Sequence, residues 1–176
     1  MTKPDASSGT FRLFVAAWPP ANVVADLAGL PRTEDPGVRW TPPENWHVTL
    51  RFLGPAAVDD VRRRLEAVEL PFATARLGPR VRRLGRDGIV VPVAGVDALA
   101  ATVIAATRDI GRPPDDRPFH GHLTLARLRR SNVRCALVGC SYDASFPIDE
   151  VVLARSTLTP SGARYDAVAR WPTRLS

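Results

Sequence analysis

A chain of 176 residues, 45 % of them hydrophobic, is long enough to build one compact domain with a substantial core. No apolar stretch approaches the length of a membrane span, and residues 1–10 are polar without a hydrophobic signal core, which predicts a short flexible arm followed by a single domain over 11–176 of a cytoplasmic protein. The net charge of +6 points to a polyanionic partner, nucleic acid being the obvious one.

In chain order, Phe11 to Ala17 alternates like a strand, and Pro19-Pro20 opens a helix running to about Leu30. Pro31 to Gly37 is a loop. Arg39 to Thr41 and Trp46 to Leu53 read as strands, Gly54-Pro55 as a breaker, and Val58 to Val68 as an amphipathic, arginine-faced helix. Phe72 to Leu77, Val81 to Leu84 and Gly88 to Val93 form a meander with a turn at Gly85 to Gly88. Asp97 to Ile110 predicts a mostly buried helix, Gly111 to Asp116 a loop, and Phe119 to Leu128 a strand. A segment carrying Cys135 and Cys140 follows; two cysteines at this spacing make neither a metal site nor a disulfide framework, and are expected to be reduced. Phe146 to Ser156 and Tyr165 to Trp171 close the chain as strands.

The tetrad His47-Val48-Thr49-Leu50 returns 75 positions later as His122-Leu123-Thr124-Leu125, each copy inside an apolar run. Side chains alternate along a strand, so each histidine shares a face with its threonine while the apolar pair turns the other way. An offset of roughly half the chain suggests two similar lobes, each giving one imidazole and one hydroxyl to a shared cleft. The fold expected is α+β: a bilobal, duplicated arrangement of two antiparallel-rich sheets flanking a central cleft, with helices outside. Two imidazoles and two hydroxyls facing each other suit one phosphate, with one histidine as base and the other as acid.

These motifs resemble those of the 2H phosphoesterases, specifically the bacterial RNA 2′,3′-cyclic phosphodiesterases also called 2′-5′ RNA ligases. Further similar pieces keep their order along the chain: Phe11 to Ala16, Arg39-Trp40 through Trp46, Arg51 to Gly54, Arg117 to Phe119, Ala126-Arg127, Ser156 to Leu158 and Gly162 to Tyr165. One departure stands out. The residue before the second histidine is commonly proline in that family and is Gly121 here. The resemblance implies hydrolysis of RNA 2′,3′-cyclic phosphate ends to 2′-phosphomonoesters without metal or cofactor, His47 protonating the 3′ leaving oxygen and His122 activating water. Thr49 and Thr124 then donate hydrogen bonds to the non-bridging oxygens. ATP-independent, reversible 2′-5′ ligation is the same chemistry run backwards. RNA ends or cyclic nucleotides are the expected partners, with no membrane, no obligatory protein partner and a monomeric state.

Arg127 and Phe52 lie at the same place in the two repeats, five residues after histidine, so strict alternation turns both away from the histidine face. A bulge or strand end would return them, placing Arg127 to cap the phosphate and Phe52 to stack on a base. Of the 24 basic residues 23 are arginines, and genome composition accounts for part of that skew. They cluster at Arg62 to Arg64, at Arg80, Arg82, Arg83 and Arg86, and at Arg127, Arg129, Arg130 and Arg134. The first cluster reads as a solvated helix face, whereas the third leans toward phosphate contacts. Lys3, the one lysine, lies in the polar arm and cannot serve as a buried nucleotidyl-lysine of an ATP-dependent ligase. Two other readings remain: a zinc hydrolase using His47, His120 and His122, and a non-catalytic RNA-binding module that binds through its arginines without turnover.

Overall fold

Apolar and polar residues alternate along both His-x-Thr strands, and that alternation decides which face of the sheet meets the core. The computed structural model describes residues 9–32, 36–160 and 162–175; residues 1–8 of the expected arm, Lys3 included, and part of the Pro31 to Gly37 loop lie outside the described residues. The elements are β1 (Thr10–Ala17), α1 (Ala21–Ala28), β2 (Val38–Trp40), a 3-10 turn (Pro43–Asn45), β3 (Val48–Ala57), α2 (Val58–Glu66), β4 (Ala73–Leu77), β5 (Arg82–Leu84) and β6 (Gly88–Ala94). They continue with α3 (Asp97–Ala106), β7 (His122–Leu128), β8 (Ala144–Ile148), β9 (Glu150–Thr159) and β10 (Gly162–Pro172).

The expected α+β class is what forms, and the two expected sheets are the arms of one. The strands run β10-β9-β1-β3-β7-β6-β4-β8, with β2 added on β7 and β5 on β6. Every pairing of named strands is antiparallel. One arm is β10-β9-β1-β3 and the other β7-β6-β4-β8; they join where β3 meets β7, at the pair Val48↔Leu123. One hydrophobic cluster draws on both arms, including Leu13, Val15, Val48, Leu50 and Leu53 from one and Val91, Val93, Leu123 and Leu125 from the other. The helices cover this face: α2 packs on β1, β3 and β10, α3 on β3, and α1 on β8.

Several elements differ from the sequence expectation. The expected meander of Phe72 to Leu77, Val81 to Leu84 and Gly88 to Val93 does not form, because β4 and β5 both pair with β6 instead of with each other. Gly54-Pro55 does not break the strand, because β3 continues to Ala57 and passes directly into α2. Gly54 takes a positive φ of 66°, and Pro55 lies where β3 is paired only with β1, so its missing donor falls on an edge. The run Phe146 to Ser156 is two strands. It divides at Asp149, β8 pairing with β4 and β9 with β1 on the opposite arm. A continuous apolar run looks the same whether the chain stays in one arm or crosses to the other. The arms are consequently not the two halves of the chain: C-terminal β9 and β10 complete the arm that contains β1, and N-terminal β2 extends the arm that contains β7. At the start of β1, Thr10, expected in the arm, is already paired with Ala57.

Gly121, immediately ahead of the second histidine, is buried, and its carbonyl accepts a 2.9 Å hydrogen bond from the Val93 amide. A Cβ at this position would lie 2.4 Å from the Val93 carbonyl oxygen and 3.0 Å from a Val96 methyl. Backbone cannot yield as a side-chain end can. Gly121→Ala is therefore expected to destabilise the fold by about 1–3 kcal/mol, the usual range for overpacking. A denaturation midpoint equal to that of the parent protein would show that β6 and β7 separate there without cost.

Candidate active site

The pair Val48↔Leu123 joins the arms at the middle of the two tetrads. Val48 and Leu123 are fully buried, while His47, Thr49, His122 and Thr124 are partly exposed on the open face. Because the strands are antiparallel, the tetrads approach each other head to tail around that pair. The two imidazoles are close enough for a charge on His122 to disfavour one on His47.

Each imidazole is held in the same way. Nδ1 of His47 donates to the Asn45 carbonyl at 2.7 Å, and Nδ1 of His122 donates to the His120 carbonyl at 2.8 Å. A carbonyl can only accept, so in the neutral ring the proton sits on Nδ1 and the Nε2 lone pair is left for a ligand. The backbone two residues upstream thus orients each ring in place of a carboxylate. His120, exposed itself, contributes its carbonyl rather than its ring. Among the described residues, which include all three histidines, no three His, Cys, Asp or Glu side chains gather closely enough to hold a metal ion, so the zinc reading has no ligand set.

His47 stands among aromatic rings, with centroids at 4.9 Å from Phe14, 5.2 Å from Trp18 and 5.2 Å from Tyr165, the last edge-on at 89°. Burial there pushes its pKa down to about 4, the nearby His122 adding to the shift while the Asn45 carbonyl opposes it. His122 is less enclosed. Its pKa is also lowered, first by desolvation and then by Arg127, Arg82 and His120, against the His120 carbonyl. Both rings are therefore neutral near pH 7 in the free protein. Sequence reasoning missed Phe14, Trp18, Tyr165 and Asn45 as surroundings of the histidines, because strands far apart in the chain bring the rings together and no local spacing announces it.

The bulges that Phe52 and Arg127 require are present in both repeats. In β3, Ala16 pairs with Thr49 and Val15 with Arg51, leaving Leu50 as the extra residue. In β7, Val90 pairs with Thr124 and Ile89 with Ala126, leaving Leu125 as the extra residue. The added residue is in each case the leucine of the tetrad, and it shifts the alternation by one. Phe52 thereby returns to the open face beside Phe14 and Ala16. Arg127 comes out exposed near His122, where its Nη1 donates to Asp87 at 3.1 Å. Trp46, next to His47, is core, as its place in an apolar run suggests.

The arginine clusters separate as well. On α2, Arg63 and Arg64 are engaged by Asp60 and Asp109, and Arg62 donates to the Val168 carbonyl, a solvated and paired helix face as expected. Of the cluster expected to touch phosphate, Arg127 lies near His122, and Arg82 joins it there from the middle cluster. No helix among the described residues is long and apolar enough to cross a membrane.

Comparison with known proteins bears on the family and the fold. A family profile described as LigT like Phosphoesterase matches residues 18–81. An RNA 2′,3′-cyclic phosphodiesterase of Archaeoglobus fulgidus is 30 % identical over 146 residues, covering 73 % of this chain and 80 % of the relative. One from Thermus thermophilus is 28 % identical over 182 residues, covering 93 % and 90 %. The crystal structure of E. coli LigT complexed with ATP superposes with a TM-score of 0.76 at 22 % identity over 94 % of this chain and 99 % of LigT, which speaks to the fold. Relatives that span most of both chains, together with the shared fold, settle the family: the chain belongs to the LigT-like phosphoesterases of the 2H superfamily.

Proposed function

We propose that the chain is an RNA 2′,3′-cyclic phosphodiesterase that opens terminal cyclic phosphates to 2′-phosphomonoesters, with no metal in the reaction. The observation that carries this reading is the antiparallel meeting of two strands that share the His-x-Thr-Leu pattern, each imidazole held as the Nδ1–H tautomer by a backbone carbonyl. Opening the ring requires a base for the attacking water and an acid for the departing ribose oxygen, in line on opposite sides of phosphorus. His122 takes the water proton at Nε2. His47 donates from Nε2 to the 3′ oxygen. Thr49 and Thr124 hold the non-bridging oxygens, Arg127 leaves Asp87 for the phosphate, and Phe52 lies beneath the nucleotide.

The low pKa of His47 fits an acid that is charged by its substrate. An anionic phosphate between the rings favours imidazolium, and the faces of Phe14 and Trp18 are able to stabilise that cation. Once formed, an imidazolium of low intrinsic pKa gives up its proton readily to the leaving oxygen. Run in reverse, the same groups join a 5′-hydroxyl end to the cyclic phosphate through a 2′-5′ bond without ATP. Water at tens of molar outcompetes the hydroxyl unless the two RNA ends are held together.

His47→Ala and His122→Ala should each lower hydrolysis of a cyclic phosphate by at least about 10²-fold, the double variant being little worse because the two act as a unit. End-typing of the product is the companion measurement: a 3′-phosphate would exchange the acid and base labels, and near-parental turnover by either variant would remove the assignment. Salt-sensitive RNA binding with no turnover at all would favour the binding-module reading instead.

The pH dependence has a definite sign. Catalysis needs one ring protonated and one neutral, and in the free protein both rings titrate below the ordinary histidine value, so kcat/KM should be highest on the acid side of about pH 6.5 and fall above it. In the complex the phosphate anion raises both, and kcat should persist to higher pH. A kcat/KM optimum above about pH 7 would contradict the desolvation of the pair.

Arg127→Ala should lower kcat/KM, and Arg127→Lys should recover only part of the loss, since an ammonium keeps the charge but not the planar two-pronged donor. Complete recovery in steady-state kinetics would reduce Arg127 to a point charge.

A further inference from the structure

Phe52 carries two cations. The Arg12 guanidinium lies over its ring at 4.8 Å from the centroid and that of Arg112 at 5.7 Å. Arg12 comes from β1, opposite Pro55, and Arg112 from the segment after α3. Neither takes part in an ion pair among the described residues, whereas Arg63, Arg64, Arg117, Arg127, Arg164 and Arg170 all do.

The placement of Arg112 is built rather than incidental. Gly111, at φ +66°, lies so close to β3 that a Cβ would be 2.2 Å from the Leu53 carbonyl oxygen. The Arg112 amide donates to that same oxygen at 2.8 Å. The Arg112 carbonyl in turn accepts from Nη2 of Arg51. Arg51 is 6 % exposed, and its other hydrogen bond also goes to a carbonyl, that of Phe52, at 3.1 Å. A buried guanidinium facing carbonyls instead of a carboxylate is unfavourable for stability, so the strap it fastens needs another reason. The side chain of Arg112 then runs over Gly54, where a Cβ would meet it at 3.1 Å. Arg51 is thus a positioning residue for Arg112.

We propose that Arg12, Arg112 and Phe52 form a second phosphate subsite, which takes the backbone of the single-stranded RNA leading up to the cyclic end. Phe52 is three residues along β3 from Thr49, at most about 10 Å by strand rise, so a strand whose terminal phosphate lies between the histidines passes over Phe52 within the next nucleotide or two. A positive groove with an aromatic floor tracks single-stranded backbone without reading its sequence. The substrate is then an oligonucleotide in preference to a nucleoside cyclic phosphate. This inference rests on the function proposed above.

The test compares wild type with the double variant R12Q/R112Q on a nucleoside 2′,3′-cyclic phosphate and on a trinucleotide ending in the same group. KM for the trinucleotide should rise at least tenfold while kcat/KM for the nucleoside changes less than about threefold. The salt dependence of kcat/KM on the trinucleotide should flatten by about 0.7 in log–log slope for each RNA phosphate that is no longer neutralised. An equal loss on both substrates, or no loss on the trinucleotide, overturns the subsite. Should wild type turn over neither substrate, the catalytic reading fails by itself, and fluorescence binding of a trinucleotide with a 3′-phosphate end decides the subsite: tenfold weaker binding by the variant supports it and equal binding refutes it. Both side chains are exposed, and thermal melting verifies that the variant folds; if the double variant does not, R12Q and R112Q singly should each give a smaller loss in the same direction.

Discussion

One backbone pairing, Val48 with Leu123, holds the arrangement together. It joins the two arms of the sheet, buries two apolar side chains in the shared core, and brings two histidine–threonine pairs to the opposite face. Burial on one face and chemistry on the other follow from the same alternation, because a strand cannot place Val48 inward without placing His47 and Thr49 outward. A slip of one residue at this joint would reverse both faces together. The core, which crosses from arm to arm at this point, therefore specifies the register on which the site depends.

Around that joint the surroundings of the two rings differ. His47 lies against three aromatic side chains drawn from β1, the segment after it and β10, whereas the charged neighbours of His122 are Arg127 and Arg82. Both are neutral near pH 7 in the free protein, in each case chiefly through burial, to which His122 adds at His47 and Arg127 and Arg82 add at His122. An asymmetric setting for two identical motifs is what distinct acid and base roles require, since symmetry of sequence alone assigns neither.

The arginines show why net charge alone is a coarse guide. Several are neutralised on outer surfaces by aspartate or glutamate, one is buried as a structural strap, and a few stand unpaired on the open face near Phe52. These few concentrate positive charge on that face. Composition sets the sign of that field but not its location.

The repeated tetrad determined the candidate histidines and threonines and the buried strands that carry them, and the order of predicted strands and helices determined the α+β class, because strand periodicity and a duplicated motif are local properties of sequence. The repeat also determined that Arg127 and Phe52 occupy matching places, and that they would reach the site only through a bulge or a strand end in each repeat. Tertiary structure alone decided that the bulges fall on Leu50 and Leu125, since an extra residue is defined only against the partner strand that lacks it. It alone divided the run from Phe146 to Ser156 between two arms, because apolar composition does not record which neighbour a strand pairs with. The aromatic surround of His47 and the strap that carries Arg112 were invisible in sequence for the same reason: Phe14, Trp18 and Tyr165, like Arg51 and Gly111, meet only through pairings and packing between segments distant in the chain.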